Sequence, residues 1–201
     1  MENSLSIKDY RFVEETVKSA TGVKTGMNQL LDYCEKKSSD PVWTTIRSFD
    51  FESEIPKLRM WLENVLSNET PSNEINAFWF GLFNPVLESG ITSCGMYVSG
   101  STQFDPDDET SDWACWEDDT YLPEKRYADS RILREIYRLV SDNDNVSVFA
   151  EYILAFGYSC LVINDICNAI NPRLLLGNRK RRDFAVGFDS GDFIILKGID
   201  G

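Results

Sequence analysis

The densest group of residues that could carry chemistry is an acidic stretch in the middle of the chain. Residues 105–119 hold eight carboxylates and two tryptophans, without any basic residue. Aromatic anchors surrounded by steering charges are typical of protein–protein interfaces. The stretch is therefore predicted to bind a protein partner, and its candidate contact residues are Asp105, Asp107, Asp108, Asp112, Trp113, Trp116, Glu117 and Asp118.

Other interpretations of this stretch remain open. Asp105, Asp107 and Glu109 alternate as calcium ligands would, but Thr110 and Trp116 stand where an EF-hand has Gly and Glu. A hydrolase could use an acid–base pair of carboxylates, with or without a metal, although the spacing identifies no pair. The stretch could also be a solvated loop whose two tryptophans lie in the core. We predict no metal ligand here.

The absence of histidine excludes the largest set of catalytic mechanisms. The chain contains none, so Ser-His-Asp and Cys-His catalysis and His-ligated metals are ruled out. Neither a phosphate-binding GxxxxGK[ST] loop nor a GxGxxG motif is present. We therefore predict no catalytic residue and no cofactor. An assembly subunit without catalysis is a further alternative.

The strongly negative net charge of the chain indicates which kinds of partner it can bind. The formal net charge is −13, and residues 101–145 carry 13 acidic and 5 basic side chains. Such a surface repels nucleic acid and anionic lipid and attracts basic proteins. The basic residues 179–182 are interpreted as a loop lying against the protein's own acidic surface.

Cysteines and hydropathy predict a cytoplasmic protein. The five cysteines form no CxxC pair, which predicts reduced, mostly buried thiols. Residues 1–18 lack the apolar core of a signal peptide. The apolar run 152–163 is too short for a membrane span, which needs about 20 residues, so it predicts a buried helix.

Hydrophobic periodicity predicts a single α+β domain over residues 1–201, with residues 1–40 as a helical N-terminal subregion. The predicted sheet is mainly antiparallel and is covered by two helical segments near 130–140 and 147–170. Its strands are 77–83, 91–99 and a C-terminal hairpin around 184–196, and 42–51 is a further strand candidate. A helix over 55–66 is predicted to carry Pro56 in its first turn.

Three segments carry a resemblance to a known family. The runs 78–83 (FWFGLF), 97–101 (YVSGS) and 186–193 (VGFDSGDF), in a small acidic α+β chain, resemble immunity proteins of bacterial polymorphic toxin systems. The resemblance implies a cytosolic inhibitor that blocks the active site of one cognate toxin. Nuclease toxins of such systems are often basic, and an acidic inhibitor would mimic their phosphate ligand. The resemblance assigns no role to any individual residue.

Overall fold

The computed structural model describes residues 5–105, 107, 112–114, 120–188 and 192–201. Over these residues the chain has the predicted α+β fold. The helices, in chain order, are α1 (Ile7–Ser19), α2 (Val23–Lys37), α3 (Val42–Arg47), α4 (Ile55–Asn68), α5 (Arg131–Ser141), α6 (Ser147–Ala150), a π-helix (Glu151–Phe156), α7 (Gly157–Ala169) and α8 (Pro172–Leu176). The strands are β1 (Ala77–Phe83), β2 (Gly95–Ser101), β3 (Thr120–Tyr121), β4 (Tyr127–Ala128), β5 (Arg181–Phe188) and β6 (Phe193–Asp200).

Contacts divide the chain into two compact units. Unit 1 contains the described residues of Met1–Glu54, Asn84–Cys94 and Ser130–Val162. Unit 2 contains those of Ile55–Phe83, Gly95–Asp129 and Ile163–Gly201. The single domain over 1–201 stays a prediction.

The first two helices of unit 1 form where the apolar spacing predicts them. Ser6 and Asp9 make a capping box at the start of α1, each side chain bonding the backbone of the other. Helix α2 buries Met27, Leu30 and Leu31 together with Cys34, the i, i+3, i+4, i+7 pattern of one helical face.

The strand predicted over residues 42–51 is wrong. Residues Val42–Arg47 form the short helix α3, which buries Trp43 and Ile46. The Asp40 carboxylate accepts a hydrogen bond from the Val42 amide at 2.9 Å, and the Trp43 indole donates to the Ser38 carbonyl at 2.8 Å. Burial of two side chains three residues apart therefore outweighs the β-propensity of Val, Trp, Thr and Ile.

Unit 2 is built on a six-stranded mixed sheet with the order β3-β2-β1-β5-β6, in which β4 also pairs with β2. Strand β1 runs antiparallel to β2 and parallel to β5, and β5 and β6 are antiparallel. Strand β1 has the predicted bounds, and six of its seven residues are buried. Residues 189–191, between β5 and β6, lie outside the described residues.

The second predicted strand starts four residues too early. Strand β2 begins at Gly95, whereas Ile91 is 58% exposed and belongs to a small hairpin bridged between Val86 and Thr92. This hairpin turns at Gly90, whose φ of +79° favours glycine, and the Gly90 amide donates to the Leu87 carbonyl. The turn interrupts the apolar pattern that the sequence presents as one strand.

The apolar segment near 147–170 is helical, as predicted. Among the described residues, one stretch, Glu151–Ala169, is long and apolar enough to span a membrane by composition alone. Of its most apolar window, 78% is buried inside the structure, which is consistent with a core helix of a soluble protein. Helix α7 begins at Gly157, where the preceding π-helix ends.

Candidate partner-binding surface

One face of the unit 2 sheet is aromatic. The strand register places Trp79 opposite Ser99 and Ala185, and Gly81 opposite Tyr97 and Gly187, so these residues share a face. A Cβ atom at Gly81 would overlap the Tyr97 ring, and one at Gly187 would overlap the Trp79 ring. The two glycines therefore let the rings lie directly against the sheet.

Two aromatic residues at the described part of the acidic stretch, Phe104 just before it and Trp113 within it, pack on this face. The Trp113 ring packs edge-on against Trp79, with centroids 5.6 Å apart, and against Phe104 at 4.8 Å. Phe193 of β6 closes the cluster at 6.3 Å from Trp113. Trp113 is only 2% exposed, so it is a core residue. For this tryptophan the structure agrees with the alternative in which the acidic stretch is a loop with its tryptophans in the core. It can support a binding surface from beneath but cannot contact a partner directly.

Three of the predicted contact residues are exposed carboxylates on the described part of the stretch, namely Asp105, Asp107 and Asp112. Asp105 accepts a hydrogen bond from the Asp107 amide at 2.9 Å, a local turn typical of aspartate. Asp112 begins the 3₁₀ turn Asp112–Ala114 that carries Trp113. Within the described residues no basic side chain forms a salt bridge with any of the three. We call them the acidic triad.

The other predicted contact residues, Asp108, Trp116, Glu117 and Asp118, lie outside the described residues. The structure therefore brings three of the eight predicted residues to one surface and assigns a fourth, Trp113, to the core below it. The remaining four stay predictions.

A second aromatic group, which the sequence analysis missed, adjoins this cluster. Phe83, Tyr97 and Tyr127 form what we call the aromatic patch, with ring centroids 5.4–6.2 Å apart and planes inclined by 58–62°. Tyr97 also packs against the Trp79–Trp113 cluster. Tyr127 lies on the two-residue strand β4, which is too short to produce a periodic pattern. Only its pairing with Tyr97 across the sheet reveals it.

Tyr127 is the most exposed member of the patch, at 53%. The guanidinium carbon of Arg126 lies 4.9 Å from the centroid of its ring, a cation–π distance. Arg126 also donates to the Pro123 carbonyl at 3.2 Å. The patch thus contacts a guanidinium of the chain itself.

The basic residues 179–182 are engaged within unit 2. Arg182 is fully buried and donates to three backbone carbonyls. Arg181 pairs with Asp183 at 2.7 Å and with Asp200 at 3.5 Å. Arg179 donates to the Asn73 carbonyl at 2.5 Å. The prediction of a loop against the acidic surface is therefore wrong for this segment's second half, because Arg181 and Arg182 belong to strand β5 and, of these two, only Arg181 pairs with described carboxylates.

The described thiols are buried. Among the described residues, Cys34, Cys94, Cys160 and Cys167 form no disulfide, as predicted. Burial raises the pKa of the Cys94 thiol to about 12, with the Glu151 carboxylate acting in the same direction, so this thiol is protonated at neutral pH. No group of three His, Cys, Asp or Glu among the described residues is arranged to hold a metal ion.

In comparisons with known proteins, no family model, curated protein or solved structure matches this chain.

Proposed function

We propose that this chain is a protein-binding inhibitor, most specifically an immunity protein that neutralises a cognate toxin of basic character. The binding surface is the acidic triad together with the sheet face that supports it. The observation that carries the proposal is that these three carboxylates are exposed, have no described basic partner and include Asp112, which directly precedes buried Trp113.

Electrostatics support a basic partner. A net charge of −13 creates a field that repels other anions and speeds encounter with cations. Exposed charges at the rim of an interface act mainly on the association rate and its salt dependence. Because charges separated by more than about 10 Å are screened at 0.1 M salt, association should slow as salt rises.

Packing supports a preorganised surface. Phe104, next to Asp105, and Trp113, next to Asp112, belong to the same aromatic cluster. Side chains held in place before binding lose less conformational entropy when a partner docks. The triad is therefore better suited to tight binding than the same charges on a free chain would be.

The test compares the wild-type chain with a triple variant, Asp105→Asn, Asp107→Asn and Asp112→Asn, as baits on a column. Native host extract is passed over both at low and high salt, and retained proteins are identified by mass spectrometry. We expect one basic protein to be retained stoichiometrically by the wild type and much less by the variant. Its purified activity should then be inhibited by an equimolar amount of the wild-type chain.

A matched control removes three exposed charges from unit 1 instead, by Glu88→Gln, Asp142→Asn and Asp144→Asn. This control should retain the same protein as the wild type, because its changes lie outside the proposed surface. Equal retention by the triad variant would overturn the acidic surface as the binding site. A retained protein whose activity is unaffected would overturn the inhibitor function.

A further inference from the structure

We propose that the aromatic patch recognises arginine side chains of the basic partner, so that the surface prefers arginine to lysine at equal charge. This inference rests on the proposed function, because it assumes a basic partner. It adds a specificity that the carboxylates alone do not supply.

The patch is continuous with the acidic surface through shared packing. Tyr97 contacts Phe83 and Tyr127 on one side and packs against the cluster of Trp79 and Trp113 on the other. All of these residues belong to unit 2. A basic segment steered by the acidic triad would therefore meet an exposed aromatic ring on the same unit.

Arg126 shows which cation the patch accommodates. Its guanidinium lies over the Tyr127 ring, yet more than half of Tyr127 remains exposed. A planar, weakly hydrated guanidinium stacks on aromatic faces, whereas the compact lysine ammonium holds its water strongly. The uncovered part of the patch should therefore favour a partner's arginine.

The test uses fluorescein-labelled deca-arginine and deca-lysine as probes, with affinities measured by anisotropy at several salt concentrations. The arginine preference is measured as a ratio, the dissociation constant of deca-lysine divided by that of deca-arginine. Guanidinium groups also bind carboxylates in a bidentate manner, so the wild-type ratio serves only as the reference. Tyr127→Ala should reduce the arginine preference about 2- to 5-fold, the size of one exposed cation–π contact, while Tyr127→Phe should keep it.

Arg126→Lys is an independent test, because it keeps the local charge while removing the guanidinium that lies over the Tyr127 ring. We expect this variant to increase the arginine preference. Leu122→Ala, at another exposed position of unit 2, is the control and should leave the ratio unchanged. Circular dichroism confirms that each variant is folded.

The possible outcomes distinguish a failure of the arginine preference from a failure of the proposed acidic binding surface. If the Asn triple variant weakens both probes while Tyr127→Ala leaves the ratio at the wild-type value, the arginine preference is overturned and the acidic surface stands. If neither probe binds the wild type, or the triple variant binds both as the wild type does, the acidic surface fails. A fall in the ratio for Tyr127→Ala, absent in Tyr127→Phe, supports the inference.

Discussion

Arg182 is a charged side chain in the interior of unit 2. It is fully buried, and its guanidinium donates to the carbonyls of Ser72 at 3.0 Å, Ile75 at 3.0 Å and Leu175 at 2.6 Å. It also lies 5.0 Å from the centroid of the Phe78 ring. Burial, reinforced by the charge of Arg179, lowers its pKa to about 10, so Arg182 remains charged at neutral pH.

The first prediction compares this residue with its neighbour in sequence. Arg182→Met should lower the free energy of unfolding by about 3 kcal/mol, because it leaves three carbonyls without their donor. Arg181→Met should lower it by less than about 1 kcal/mol, because that side chain is 57% exposed and surface ion pairs contribute little. Urea denaturation measures both values, and equal losses would contradict the structural role of Arg182.

At the scale of elements, helices α1 and α2 are joined by a buried ion pair. Asp9, 1% exposed, accepts hydrogen bonds from the Lys37 ammonium at 2.7 Å, the Tyr33 hydroxyl at 2.9 Å and the Ser6 hydroxyl at 2.7 Å. Burial by itself would raise the pKa of Asp9, but the bonds from Lys37, Ser6 and Tyr33 together outweigh it and lower the pKa below 3.8. The folded state therefore favours the carboxylate form.

The second prediction follows from the sign of this shift. A depressed pKa contributes stability that is present above the unfolded value and lost as pH falls through the folded one. The unfolding free energy of the wild type should thus fall more steeply between about pH 5 and pH 3 than that of Asp9→Asn. At pH 7 the variant should be about 2 kcal/mol less stable, since the ion pair between Asp9 and Lys37 is lost.

Asp32→Asn is the control for this pH experiment. Asp32 pairs with Arg47 at 2.8 Å, but its side chain is 58% exposed. Its pH dependence and stability should stay close to those of the wild type, because solvent screens the pair. If Asp9→Asn has the same acid sensitivity as the wild type, Asp9 does not hold the two helices together electrostatically.

At the scale of the whole molecule, charge is the dominant feature. The chain has 33 acidic and 20 basic side chains, and like charges on a compact surface repel each other. Several described ion pairs, such as Lys18–Glu14 and Arg138–Glu135, are largely exposed and contribute little. Net repulsion should therefore exceed the attraction of the surface pairs.

The third prediction is that salt stabilises the protein. Raising sodium chloride from about 10 mM to 150 mM shortens the Debye length from about 30 Å to 8 Å and screens the repulsion. The melting temperature should rise by about 2–4 °C, which corresponds to about 1 kcal/mol for a chain of this size. Differential scanning calorimetry measures the shift. A lower melting temperature in salt would mean that the ion pairs dominate.

The sequence predicted the elements with strong local signals and missed those without them. The helical faces of α1 and α2 and the apolar strand β1 follow from periodicity alone. Helix α3 was missed because the burial of Trp43 depends on contacts outside its own segment. The start of β2 was misplaced because the turn at Gly90 interrupts the apolar pattern. At the candidate surface, the acidic residues were evident from composition, whereas Tyr127 was not.

The α+β class, the acidic character and the absence of any histidine-based chemistry follow from the sequence alone, because composition and local periodicity express these properties directly. The core position of Trp113, the burial of Arg182 and the contact between Tyr97 and Tyr127 follow from the three-dimensional fold. Each of these outcomes depends on which strands pair and in which register. Pairing between distant segments arises from long-range packing, which a local pattern does not encode.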